Sequence, residues 1–135
     1  MWLYEGKPFE EVPDNIIGFV YKITNTLDNR EYIGKKLFAF TKSRKVKGKR
    51  NRKRTRVESD WREYFGSNKA LIADVGTHGE QSFVREILHL CETRGQCNYH
   101  EARLQFLLGV LEQPEKFYNE QIRCRIHRSH LKIPK

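Results

Sequence analysis

No stretch of the sequence approaches the roughly 18 consecutive apolar residues of a membrane-spanning helix. The start also lacks the apolar core of a secretory leader, because residues 1–4 run at once into Glu5, Lys7, Glu10 and Glu11. Cysteine is scarce and odd in number (Cys91, Cys97 and Cys124), which argues against a disulfide framework and suits a reducing compartment. These absences predict a soluble, cytoplasmic protein. No repeat or low-complexity tract appears outside one basic run.

Acidic residues are missing altogether from positions 42–56. Ten of the chain's 26 Lys and Arg lie there: Lys42, Arg44, Lys45, Lys47, Lys49, Arg50, Arg52, Lys53, Arg54 and Arg56. The remainder sets 16 basic residues against 17 acidic ones, so the net charge of +9 belongs to one segment. Such a run points to a polyanion docked at one place. It cannot bury a face, which predicts a mobile basic arm over residues 35–57. With 135 residues the chain has room for one domain and one core.

Residues 16–24 alternate, with Ile17, Phe19, Tyr21 and Ile23 on one face and Gly18, Val20, Lys22 and Thr24 on the other. That period predicts a strand. Asn25, Asp28 and Asn29 tolerate turn conformations, and residues 31–35 resume as a second strand, closing a hairpin with a tyrosine on each arm. A short helix is expected over 58–67. A second follows over 68–76, with Ser67 or Asn68 as N-cap and Leu71, Ile72 and Val75 on one side. Residues 82–91 read as a third strand. The longest helix is expected over 99–113, ended by Pro114, apolar around most of its circumference and so mostly buried. Residues 1–15 form an irregular arm or edge strand carrying Trp2, Tyr4 and Phe9, and residues 122–135 form a basic tail. The fold class is a small α/β (α+β) domain, with a three-stranded, mainly antiparallel sheet flanked by helices and an inserted basic arm.

Gly18-Phe19-Val20-Tyr21 with Tyr32-Ile33-Gly34 resembles the opening signature of the GIY-YIG nuclease family. The first half departs from the pattern by moving the glycine one place earlier while keeping the tyrosine. Asn98-Tyr99-His100-Glu101-Ala102 looks like the family's glutamate site, and Tyr118-Asn119 like its asparagine site. The resemblance covers residues 16–121 and implies a Mg²⁺-dependent DNA endonuclease of the phage-type, homing-like branch. It further implies that Glu101 holds one Mg²⁺ and that Tyr21 and Tyr32 position and deprotonate the water. The products would carry 5′-phosphate and 3′-hydroxyl ends.

A phenol loses its proton only near pH 10 unless cations favour the phenolate. Lys35 and Lys36, directly after Tyr32-Ile33-Gly34, are the nearest, and either could instead hold the scissile phosphate. Arg62, ahead of Tyr64-Phe65-Gly66-Ser67, resembles the arginine that phage-type members present to phosphate, with Arg44, Arg54 and Arg56 as substitutes. Lys35 and the ten basic residues of the run are expected to grip double-stranded DNA through its phosphates.

Two other readings use the same residues. Asn98 and Glu101 have capping-box spacing, so Glu101 could simply cap its helix in a non-catalytic nucleic-acid-binding module. A structure-specific nuclease for branched DNA would share the chemistry and differ in substrate. Cys91, Cys97 and His100, or Cys124, His127 and His130, have spacings that zinc uses, but neither set supplies four ligands. One site per chain implies nicking by a monomer, or a transient dimer for double cuts.

Overall fold

The computed structural model describes residues 1–45, 47, 48, 50 and 53–131. Among these residues seven strands and two α-helices follow in chain order: β1 (Trp2–Tyr4), β2 (Lys7–Phe9), β3 (Gly18–Asn25), β4 (Glu31–Leu37), β5 (Ala39–Arg44), β6 (Lys53–Glu58), α1 (Lys69–His78), β7 (Phe83–Cys91) and α2 (Arg94–Leu107). Five strands form one sheet in the order β2-β1-β7-β3-β4. β1 runs parallel to β7, and every other pairing is antiparallel. The three expected strands are therefore the β7-β3-β4 part of a five-stranded mixed sheet. The N-terminal segment adds the other two because burying Trp2, 2 % exposed and donating its indole N–H to Trp61 O at 2.7 Å, draws β1 onto β7.

The hairpin closes through side chains of the kind its sequence promised. Asn25 Oδ1 accepts from Leu27 N and Asp28 Oδ1 from Arg30 N, both at 3.0 Å, while Asn29 adopts a positive φ. Alternation along β3 then divides the core. Phe19, Tyr21 and Ile23 join Trp2, Phe38, Trp61 and Leu71 on one face, and Val20 joins Ile33, Cys91, Cys97 and Val110 under α2 on the other.

Three expectations need correction. The basic run is not a shapeless arm: β5 and β6 pair as a two-stranded ribbon from Ala39↔Glu58 to Arg44↔Lys53. Its foot is fixed because Phe38 is buried and Ser59 donates both N–H to Phe38 O and Oγ–H to Leu37 O. The segment expected as a helix over 58–67 supplies only a 3-10 turn, Trp61–Glu63. The long helix starts five residues early and ends at Leu107, because Thr93 caps it by accepting from Gln96 N. Nor is that helix mostly buried. Phe106 and Leu107 are 61 % and 71 % exposed, since α2 lays only its Cys97, Ala102 and Gln105 side on the sheet.

Candidate active site

β4 is the outer strand of the sheet, so its free N–H and C=O groups must find partners. They are met at three alternate positions, Glu31, Ile33 and Lys35. Glu31 is paired by backbone, its N–H to Lys116 O and its O from Tyr118 N, each at 2.8 Å. Ile33 is paired by the Asn119 amide, whose Oδ1 accepts from Ile33 N at 3.0 Å and whose Nδ2 donates to Ile33 O at 2.8 Å. Gln105 Nε2 donates to the same Ile33 O at 2.9 Å. Lys35 N–H is met by the carboxylate of Glu101.

Two close approaches set this geometry. A methyl group at Gly18 would lie 2.7 Å from Cys97 Sγ, so the glycine lets α2 settle on β3. Glu101 and Gln105 follow Cys97 at four-residue intervals on that same helix face. At Gly34 a methyl would lie 2.5 Å from the Tyr21 hydroxyl oxygen and 2.9 Å from a Tyr32 ring carbon. The bare backbone lets the Tyr21 phenol pass over β4 to its outer edge.

A cavity of about 430 Å³ opens there. Tyr21, Tyr32 and Lys35 from the hairpin line it together with Asn98, Glu101 and Gln105 from α2. Ser67 and the chain after Asn119, from Gln121 to Ile126, complete the wall. The tyrosine rings lie 6.2 Å apart, and Tyr32 Oη and Ser67 Oγ share a hydrogen bond at 3.3 Å.

Burial pushes the Tyr21 phenol well up, with Tyr64 and Tyr32 adding to it. Burial also raises Tyr32, against the opposing bond from Ser67. The expectation that lysines favour a phenolate is therefore not met in the free protein. Glu101 is raised by burial too, only partly offset by Lys35 and Arg123. Gln105 is 4 % exposed and its Oε1 has no hydrogen-bond partner. A carboxylate and a free amide oxygen one turn apart are hard oxygen donors, the type that Mg²⁺ takes while keeping several waters.

The capping role for Glu101 is overturned: Thr93 is the N-cap, and the Asn98 side chain accepts instead from Lys35 Nζ. Other expected residues lie off the cavity. Lys36 Nζ pairs with Asp60 at 2.6 Å and sits 4.1 Å above the Tyr64 ring, which in turn bonds the Tyr21 hydroxyl. Arg62 bonds Glu58 and Glu10 O and stacks on Trp61. Asn119 is spent on Ile33. Of the basic run, Lys45, Lys47, Arg50 and Arg56 are exposed, and Lys42, Arg44, Lys53 and Arg54 hold register positions in the ribbon. Lys49 and Arg52 lie outside the described residues. Among the described residues no cluster of three or more His, Cys, Asp or Glu is placed to hold a metal, so neither zinc set assembles.

Gln105, Arg123 and Arg125 escaped the sequence reading. Gln105 carried a usable signal, as a polar residue four places after Glu101 and set between Leu104 and Phe106. The arginines carried only their i, i+2 spacing.

No described helix is long and apolar enough to cross a membrane. Comparisons with curated proteins and with solved structures found no match. A family model described as "Putative endonuclease segE, GIY-YIG domain" matches residues 2–122, and it spans both tyrosines, Lys35, Glu101 and Gln105. The chain belongs to the GIY-YIG nuclease family, in its segE-type branch.

Proposed function

We propose that the protein is a Mg²⁺-dependent DNA endonuclease that hydrolyses a phosphodiester to 5′-phosphate and 3′-hydroxyl ends. One observation carries the reading: a single cavity gathers Tyr21, Tyr32, Lys35 and Glu101 from separate segments of the chain. Glu101, with Gln105 Oε1 beside it, would hold the cation, which when bound offsets charge on the phosphate and its leaving oxygen.

The protein's own residues supply position and proton routes. Tyr21 and Tyr32 hold the attacking water by their hydroxyls. Because both phenols stay protonated in the free protein, Tyr32 acts as a relay: it takes the water's proton as its own passes to Ser67 Oγ, whose hydroxyl proton leaves to bulk water at the exposed rim. Lys35 Nζ neutralises a non-bridging phosphate oxygen. The water oxygen bonds phosphorus, the P–O3′ bond breaks, and the 3′ oxygen takes up a proton from solvent. Lys36 is a positioning residue, acting on Tyr21 through Tyr64.

The ribbon supplies the grip. Its six-residue strands reach about 20 Å, and a B-DNA major groove admits a two-stranded ribbon. A second cavity of about 530 Å³ shares Lys35 and Asn98 with the first and extends to Phe40 and Arg94 at the ribbon's foot. That continuity offers a strand of duplex a path from ribbon to reaction site. Contacts of Lys and Arg to phosphate imply steep salt dependence and modest sequence preference. Phage origin and action in the host cytoplasm, as a monomer or transient dimer, complete the reading.

The test is cleavage of supercoiled plasmid, linear duplex and branched duplex with Mg²⁺ or with EDTA, followed by mapping of the ends. Mg²⁺-dependent nicks with ligatable 5′-phosphates are expected. Cutting confined to branched DNA would transfer the protein to the structure-specific class, and binding without any cutting would return it to a non-catalytic module.

A further inference from the structure

The family match ends at residue 122, yet the cavity does not. Its remaining wall is the next stretch of chain, through Arg123, Arg125 and Ile126. Both ends of that stretch are fastened. Ile122 packs into the cluster of Val20, Ile33 and Cys97 under α2. Beyond it, the 3-10 turn Arg128–Leu131 lies on α2, with His130 against Gly95. A methyl group at Gly95 would lie 2.4 Å from His130 Cβ, so the contact is backbone-close and leaves no slack.

Between these anchors two arginines, two residues apart, border the same cavity. Among the described residues neither makes a hydrogen bond or ion pair, although Glu101 feels the charge of Arg123. With Lys35 they set three cations around the single carboxylate of Glu101. That excess suits an anion, and the planar guanidinium matches phosphate oxygens two at a time. Arg62 is held by Glu58 and Glu10 O and does not line this cavity.

We propose that Arg123 and Arg125 are the phosphate clamp of this site, held across the cavity by a strap anchored at Ile122 and at the Gly95–His130 contact. The proposal rests on the nuclease reading for its substrate, a DNA phosphodiester. Binding of a single phosphodiester tests the strap even without cleavage.

Plasmid nicking is measured over a range of DNA concentrations for wild type, Glu101→Ala, Arg123→Ala/Arg125→Ala, Arg123→Lys/Arg125→Lys and Gly95→Ala. In parallel, thymidylyl-(3′→5′)-thymidine and inorganic phosphate are titrated against each protein and followed by NMR of the arginine side-chain N–H signals and of Gln105. The double alanine variant is expected to lose about 100-fold in turnover. Its plasmid affinity should change little, because the ribbon is intact, and the lysine variant should recover part of the loss. Gly95→Ala touches no cavity residue and improves helix propensity. It should nevertheless lower turnover, by displacing His130, when assayed well below its own unfolding temperature.

Wild-type nicking in the double alanine variant, while Glu101→Ala is inactive, would overturn the clamp and leave the nuclease reading standing. Faster nicking in that variant would also overturn it, making the segment an inhibitory cover. If the wild type cuts nothing, the nuclease reading fails. The dinucleotide titration then decides the clamp: weaker binding in the double variant upholds it, and unchanged binding rejects it.

Discussion

Replacing Asn119 by alanine separates a structural splint from a chemical participant. Asn119 is 7 % exposed and its amide meets both backbone groups of Ile33, itself fully buried. Removing it leaves Ile33 N–H without an acceptor at a site closed to water, a cost of about 1–3 kcal/mol. Ile33 O keeps Gln105 Nε2, so its loss is one ordinary hydrogen bond of about 1 kcal/mol. The sum is roughly 3 kcal/mol. For a chain of this length the unfolding entropy is about 0.28 kcal/mol/K, so the melting temperature should fall by ~10 °C. Asn119→Asp should fare little better, because its carboxylate accepts from Ile33 N but repels Ile33 O. Calorimetry gives the stability change, and nicking assayed well below the melting point gives the activity per folded molecule. That activity should stay within about 3-fold of wild type, because Asn119 does not line the cavity. An Asn119→Ala protein that melts normally but cuts nothing would refute the argument.

Gly34→Ala should abolish most nicking without deleting any reactive group, because its methyl collides with Tyr21 and Tyr32; normal turnover would show the phenols to be dispensable in their present places. Glu101→Gln should raise thermal stability near neutral pH, since burial holds the carboxyl above its ordinary range and disfavours its charge; equal or lower stability would contradict that environment. His100 is pushed down to about 4 by burial, by neighbouring His89 and by Arg103. The unfolded chain takes up this proton near pH 6.5 and the native protein does not, so stability should fall as pH drops from about 6.5 to about 4. His100→Gln should flatten that part of the profile in urea titrations, and an unchanged profile would assign the acid sensitivity elsewhere.

The hairpin was legible because every local device agreed: period-two alternation, Asx turn residues and a glycine where two phenols cross. The first helix was equally plain, with Asn68 Oδ1 accepting from Leu71 N as N-cap residues do. The start of α2 was ambiguous in principle. Thr93-x-x-Gln96 and Asn98-x-x-Glu101 both have capping spacing, and the choice came from tertiary contacts. Gln96 Oε1 accepts from Glu92 N at 2.8 Å, whereas the Asn98 side chain is drawn to Lys35. That choice frees Glu101 from the helix end.

β1 and β2 are three residues each, too short for periodicity to declare them, and they exist because β7 offers an edge and Trp2 a core to fill. The ribbon was hidden for the opposite reason. Its composition reads as a solvated run, and only the fixed foot at Phe38 and Ser59 brings its strands into register. No local pattern in the tail could announce Arg123 and Arg125, because their place depends on His130 meeting a glycine about 35 residues earlier.

The most direct measurement is single-turnover nicking by Glu101→Gln beside wild type, at DNA concentrations where both are saturated and with plasmid affinity measured for each. Equal affinity with at least a 100-fold loss of cleavage is expected, because the carboxylate at the third step of the β4 edge would hold the cation and does not grip the duplex. Undiminished cleavage by Glu101→Gln would contradict the account at its centre.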